Sequence, residues 1–92
     1  MKKSYVYIVS NKNRTTLYIG VTSNLTNRLN SHSEGKGSEF TKRYNLTDLL
    51  YYEEFDDIRD AIAREKQLKN WRREWKFNLI KKMNPDLETL IY

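Results

Sequence analysis

Ninety-two residues leave room for one small core, and 38% apolar residues with a net charge of +5 describe a folded basic chain rather than a disordered one. The lack of any cysteine excludes disulfides, thiolate zinc sites and thiol catalysis, and it fits a reducing compartment. No apolar run approaches the roughly 18 residues of a membrane span, and Tyr5–Val9 is too short for a signal-peptide core. A single domain over 1–92, no membrane association and a cytoplasmic location are therefore expected.

The charge is uneven. Residues 1–46 carry eight basic and two acidic side chains, and 47–92 carry nine basic and ten acidic. A basic surplus points to a polyanionic partner, and a solubilising surface accounts for it equally well.

Residues 4–10 are β-branched and aromatic, which predicts a strand. Asn11-Lys12-Asn13-Arg14 reads as a turn, and 16–20 as the return strand of a hairpin. Alternation puts Tyr5, Tyr7 and Val9 on one face and Val6 and Ile8 on the other. Pairing Ile8 with Leu17 and Ile19 in the core brings Tyr7 and Tyr18 together on the opposite face. Gly20 then ends the strand and permits close approach of backbone or ligand. Thr22-Ser23-Asn24 is a helix-capping cluster, with Ser23 or Thr22 as the expected cap and the helix stopping at Gly35. Its predicted inward stripe is Leu25, Arg28, Leu29 and His32. A cation and an imidazole among leucines require an acceptor, unless Arg28 snorkels from the edge and His32 is an ordinary satisfied core residue.

Residues 35–46 read as a loop with a short helical turn, in which Lys42 and Arg43 stand beside Tyr44, placed to touch a phosphate chain or simply to form a solvated basic loop. A third strand is expected from Leu49 to Phe55. A second helix, capped by Asp56 or Asp57, runs from Ile58 to about Trp71. Its stripe is Ile58, Ala61, Ile62, Glu65, Leu68, Lys69 and Arg72. Glu65 on this face is either half of an i,i+4 pair with Lys69 or a carboxylate that wants a cation, a buried hydrogen-bond network or a metal. A third helix, Trp75 to Met83, has Trp75, Leu79 and Met83 in register with Phe77 and Ile80 beside them, and ends at Asn84-Pro85. No Gly or Pro separates it from the second, so one long bent helix is equally compatible. Leu87, Leu90 and Ile91 of the tail are placed to pack back.

The chemistry-bearing inventory is two tyrosines, one arginine, the single histidine and one glutamate on an inner face. No Ser-His-Asp set, phosphate-cradling glycine loop or multi-histidine metal site is present in the sequence. A single carboxylate suits Mg²⁺ or Mn²⁺, arginine suits a phosphate, and a phenol beside both can relay a proton. Hydrolysis of a phosphodiester uses all of these parts. Lys42, Arg43, Lys69 and Arg72 are the candidates for contacting the nucleic-acid chain.

Tyr5-Val6-Tyr7, a ten-residue gap and Tyr18-Ile19-Gly20 resemble the signature of the GIY-YIG nuclease superfamily. Arg28 and His32 match its helix residues, Glu65 in Ala63–Lys69 its metal-binding glutamate, and Asn84 its late asparagine. The resemblance covers nearly the whole chain and is closest to small stand-alone bacterial members. It implies an α+β fold, a three-stranded antiparallel sheet flanked by helices. It also implies a divalent-metal endonuclease acting on nucleic acid, DNA ahead of RNA, with one Mg²⁺ or Mn²⁺ ion held by Glu65 and waters. Tyr18 would orient or deprotonate the water, with Tyr7 beside it. Arg28 would hold the phosphate, His32 would support Tyr7 or the phosphate, and Asn84 would be structural or support the site. Two positions depart from the pattern: Tyr5 stands where the motif has glycine, and Val21 where some relatives carry lysine. A nucleic-acid-binding module of the same fold with little cleavage is the alternative. A monomer is the default.

Overall fold

A computed structural model describes residues 2–33 and 39–90, with backbone alone for residues 32, 33 and 39. The elements are β1 (Ser4–Ser10), β2 (Leu17–Thr22), α1 (Leu25–Ser33), α2 (Glu39–Arg43), β3 (Asp48–Phe55), α3 (Ile58–Lys69) and α4 (Arg73–Met83). The expected stop of the first helix at Gly35 lies outside the described residues. The strands form one antiparallel sheet in the order β2-β1-β3. This is the α+β architecture expected from the sequence.

β1 is the central strand, so both of its faces need cover, and its alternation divides the apolar residues into two clusters. Val6 and Ile8 pack with Ile19, Leu50, Ala61, Leu68 and Ile80, beneath α3 and α4. Tyr7 and Val9 pack with Leu25, Leu46 and Leu49, beneath α1. Full burial of an aliphatic side chain of this kind contributes about 1.5–3 kcal/mol. The register shifts between Ile8 and Val9 on the β3 side, an irregularity the sequence pattern did not signal.

The caps differ in detail from expectation. Asn24, rather than Ser23 or Thr22, caps α1: its Oδ1 accepts from Asn27 N at 3.1 Å. The Thr22 hydroxyl instead accepts from Asn24 N at 3.1 Å and so shapes the approach to the helix. Asp57 caps α3 through Arg59 N at 2.8 Å, while Asp56 pairs with Lys3. α3 and α4 are separate helices. Asn70 closes α3 by donating its backbone N–H to Gln67 and Leu68, and Arg72 is extended.

Two stripes are rotated from those expected. Ile58 and Ile62 are exposed, and α3 buries Ala61 and Leu68. On α4, Trp75 and Met83 are exposed and Ile80 is the buried residue. Each helix lies on a twisted sheet along a line narrower than its apolar stripe, so one flank faces solvent.

Polar clips complete the fold. Arg64 makes a two-pronged pair with Glu53, both contacts 2.9 Å, and also donates to Gln67 at 2.7 Å. The Tyr51 hydroxyl donates to the same Glu53 at 2.5 Å. Arg14 adopts a left-handed φ of 59° in the hairpin turn. Its guanidinium donates to Asp48 at 2.5 Å, Asn11 O at 3.0 Å, Leu87 O at 2.9 Å and Thr89 Oγ1 at 3.0 Å. The tail also donates from Leu90 N to Leu49 O at 2.8 Å, and Leu87 and Leu90 each pack against a core cluster.

Candidate active site

The β1–β2 register sets Tyr7 opposite Gly20 and Val9 opposite Tyr18. Tyr7 and Tyr18 therefore share a face, offset diagonally, with ring centroids 6.4 Å apart. The phenol end of Tyr7 lies directly over Gly20. A Cβ at that position would fall 2.5 Å from Tyr7 Cζ and 2.8 Å from Cε2, so glycine is required here by close approach. Tyr7 is almost fully buried.

Groups from three other elements act on that phenol. Burial pushes the Tyr7 hydroxyl well above the ordinary tyrosine range, and Tyr18 and Glu65 add to the push while the Arg28 cation opposes it. Residues from β1, β2, α1 and α3 thus act on one hydroxyl group.

Arg28 is exposed rather than inward, while Leu25 and Leu29 of the predicted α1 stripe pack against the core. The guanidinium keeps its hydration instead of entering the core. It makes no hydrogen bond or ion pair among the described residues, which leaves its donor fork open to an anion. His32 sits on α1 one turn beyond Arg28, and its side chain lies outside the described residues.

Glu65 makes the i,i+4 pair with Lys69 that its position suggested. Its side chain is only 16% exposed, and its Oε2 lies 3.2 Å from the Lys69 ammonium, itself 49% exposed. That ammonium also stands 5.9 Å from the centre of the Tyr18 ring. Lys69 therefore joins the α3 carboxylate to the β2 phenol.

Among the described residues no group of three or more His, Asp or Glu side chains gathers to hold a metal. Glu65 alone beside the phenols does not fit zinc, which takes three or four protein ligands. It does fit Mg²⁺ or Mn²⁺, which retain waters and accept substrate oxygens.

The remaining candidates divide. Lys42 and Arg43 are exposed at the end of α2, with Arg43 5.8 Å over the Tyr44 ring. Arg72 lies apart, stacked 5.5 Å over Trp75, which lines a cavity of about 210 Å³ with Trp71, Asn78, Leu79 and Lys82. Asn84 is buried in the fold. Its amide donates to Leu50 O at 3.1 Å and Glu88 O at 2.6 Å and accepts from Glu88 N at 3.0 Å. That clip takes its side chain to β3 and the tail, and the structural role is the one its hydrogen bonds serve. The sequence reading missed Phe40, whose ring lies 6.1 Å from Tyr18 and 4.8 Å from Tyr44. The signal was there: two aromatics four residues apart beside basic residues share one face of a helical turn.

The profile of the GIY-YIG catalytic domain matches residues 3–78, a span that includes Tyr7, Tyr18, Arg28, His32 and Glu65. The chain belongs to the GIY-YIG family. A UPF0213 protein of Pediococcus pentosaceus is 40% identical over 75 residues, covering 82% of this chain and 79% of the relative. One from Staphylococcus haemolyticus is 39% identical over 80 residues, covering 87% and 96%. The solution NMR structure of a UPF0213 protein from Bacillus halodurans superposes with a TM-score of 0.60 at 26% identity, covering 95% of this chain and 92% of that one. Within the GIY-YIG frame, Tyr5 replaces the glycine of the first motif and packs against the cluster that holds Tyr7. Its ring meets Tyr52 edge-on at 6.4 Å and its hydroxyl donates to Glu54 at 3.2 Å, along the β1–β3 seam. Val21 packs on the other side of the sheet, against the α3–α4 cluster.

Proposed function

We propose that this GIY-YIG chain is an endonuclease that hydrolyses phosphodiester bonds in nucleic acid, DNA ahead of RNA, with one Mg²⁺ or Mn²⁺ ion held by Glu65 and waters. The observation that carries the proposal is the placing of Tyr7 and Tyr18 6.4 Å apart on one face, with Lys69 linking Glu65 at 3.2 Å to the Tyr18 ring at 5.9 Å. A bound ion would supply charge stabilisation to the phosphoryl and leaving-group oxygens. Arg28, with its fork open, binds the scissile phosphate and balances charge gathering on its oxygens. Tyr7 stays protonated and donates its hydroxyl hydrogen, which leaves the other phenol to handle the water. Tyr18 orients that water and relays its proton towards solvent as the new P–O bond forms and the ester P–O bond breaks. Lys69 holds Glu65 in place. His32, at i+4 from Arg28 on α1, would support Tyr7 or the phosphate.

The test is nicking of supercoiled plasmid and of branched DNA and RNA with Mg²⁺ or Mn²⁺. Wild-type protein is expected to cleave, and Glu65→Gln to lose about a hundredfold or more, some 2.7 kcal/mol of barrier. Wild type that cleaves none of these with either ion overturns the proposal. A second reading rests on the Glu65–Lys69 pair, which satisfies the carboxylate without an ion. In that reading the protein binds nucleic acid without cutting it, and Glu65→Gln leaves affinity unchanged or tightened.

A further inference from the structure

α2 is tethered from one side. Thr41 and Leu46 are buried beneath it, Leu46 N donates to Thr41 O at 2.9 Å, and Asn45 ends the turn with a left-handed φ of 55°. With those residues facing inward, Phe40, Lys42, Arg43 and Tyr44 face out. Phe40 and Tyr44 are 44% and 43% exposed and belong to neither core cluster. A single exposed aromatic needs no explanation, but these two are not isolated. They extend a row of rings that begins in the candidate site, Tyr7, Tyr18, Phe40 and Tyr44, with successive centroids 6.4, 6.1 and 4.8 Å apart. Cations flank the row at two points, Lys69 over Tyr18 and Arg43 over Tyr44. The row starts at the two phenols of the candidate site and runs outward to the exposed rings of Phe40 and Tyr44.

A row of aromatic faces bordered by cations matches the chemistry of an unpaired nucleic-acid strand, whose bases offer π-faces and whose backbone offers charge. A duplex keeps its bases stacked on one another and withholds those faces. We propose that Phe40 and Tyr44 stack unpaired bases next to the phosphate held at Arg28, with Lys42 and Arg43 on the backbone, so that the site selects single-stranded over fully paired substrate. The proposal rests on the nucleic-acid reading above and adds the strand form that the site accepts.

The measurement is fluorescence anisotropy of the full chain in EDTA, which prevents cleavage, with a labelled twelve-nucleotide single strand and the matching duplex. The single strand is expected to bind more tightly. Phe40→Leu and Tyr44→Leu keep apolar bulk but remove the ring, and each should weaken strand binding by roughly 5- to 100-fold, with duplex binding changed less than about twofold. Phe40→Trp should restore the preference and quench a 2-aminopurine placed in the strand. Phe40→Leu and Tyr44→Leu that bind strand as wild type does, or that weaken strand and duplex alike, overturn the proposal. If neither strand nor duplex binds, the row serves a protein partner and the proposal falls. Strand binding sensitive to Phe40→Leu in a protein that never cleaves would sink the nuclease reading and keep this one. Cleavage indifferent to Phe40→Leu and to strand form would do the reverse.

Discussion

Arg64 and Glu65 are neighbours on α3, yet they belong to opposite kinds of charged cluster. Arg64 points to Glu53, where two guanidinium contacts and the Tyr51 hydroxyl occupy the carboxylate. Glu65 turns the other way and has one ammonium contact, from a lysine half open to solvent. Each cluster includes a tyrosine whose hydroxyl burial pushes up: Tyr51, helped by its bond to Glu53, and Tyr7, helped by Tyr18. The closed cluster spends its hydrogen-bonding capacity inside the protein and so adds to stability. The open one keeps capacity for a ligand, at some cost to stability.

The largest expected break in this contrast comes from removing one charge on each side. Glu65→Gln should lower the cleavage rate about a hundredfold or more with the thermal midpoint nearly unchanged. Glu53→Gln should do the opposite. It leaves Arg64 poorly paired, costs on the order of 2 kcal/mol and lowers the midpoint by roughly 10 °C for a domain of this size. Cleavage per folded molecule should stay within about threefold. Loss of activity in a folded Glu53→Gln protein would erase the distinction.

Gly20→Ala comes next. Its Cβ meets the ring of Tyr7 rather than the tip of a flexible chain, and the ring is packed. Moving the ring should cost about 1–3 kcal/mol in stability and about tenfold in rate, read by melting and plasmid nicking. The tyrosines sharpen the contrast further. Tyr51→Phe should cost about 1 kcal/mol of stability and leave cleavage unaffected, whereas Tyr7→Phe should lower cleavage more than stability.

The smallest effect is in the pH dependence. Burial pushes the carboxyls of Asp48 and Glu53 up, but the bonds and charge of Arg14 and Arg64 outweigh it and hold both below the usual range. Their folded values being depressed, their stabilisation is present above the ordinary carboxylate pKa of about 4 and is lost as pH falls through the folded values. The thermal midpoint should therefore drop on acidification, and Asp48→Asn should flatten that limb by a few degrees. At the other end Tyr7 and Tyr51 are raised. Their contribution is complete below about pH 10 and lost as pH rises beyond it. The pH–rate profile should accordingly show no limb from Tyr7 below about pH 10.

What the sequence made legible follows from how periodic each signal is. Alternation along Tyr5–Val9 put Tyr7 with Tyr18, because a two-residue period leaves a strand only two choices of face. Helical stripes are broader and less decisive. The stripe places Arg28 inward, yet it sits on the exposed flank; of the broad α4 stripe, Ile80 is buried while Trp75 and Met83 at its edge are exposed. The break between α3 and α4 carries no Gly or Pro and is made by backbone capping at Asn70 and an extended Arg72. The Phe40–Tyr44 pair is a local signal, but its junction with Tyr18 and the Arg14 clip depend on contacts between distant segments, which no local pattern encodes.

Arg14 has a consequence for the order in which the molecule opens. One side chain in the hairpin turn grips the start of β3 and two points of the tail, at Leu87 and Thr89. The turn and the tail, ordinarily the first segments to fray, must then let go together. Amide hydrogen exchange at Leu90 should report the opening of the whole sheet rather than a local flutter, and Arg14→Ala should uncouple the two.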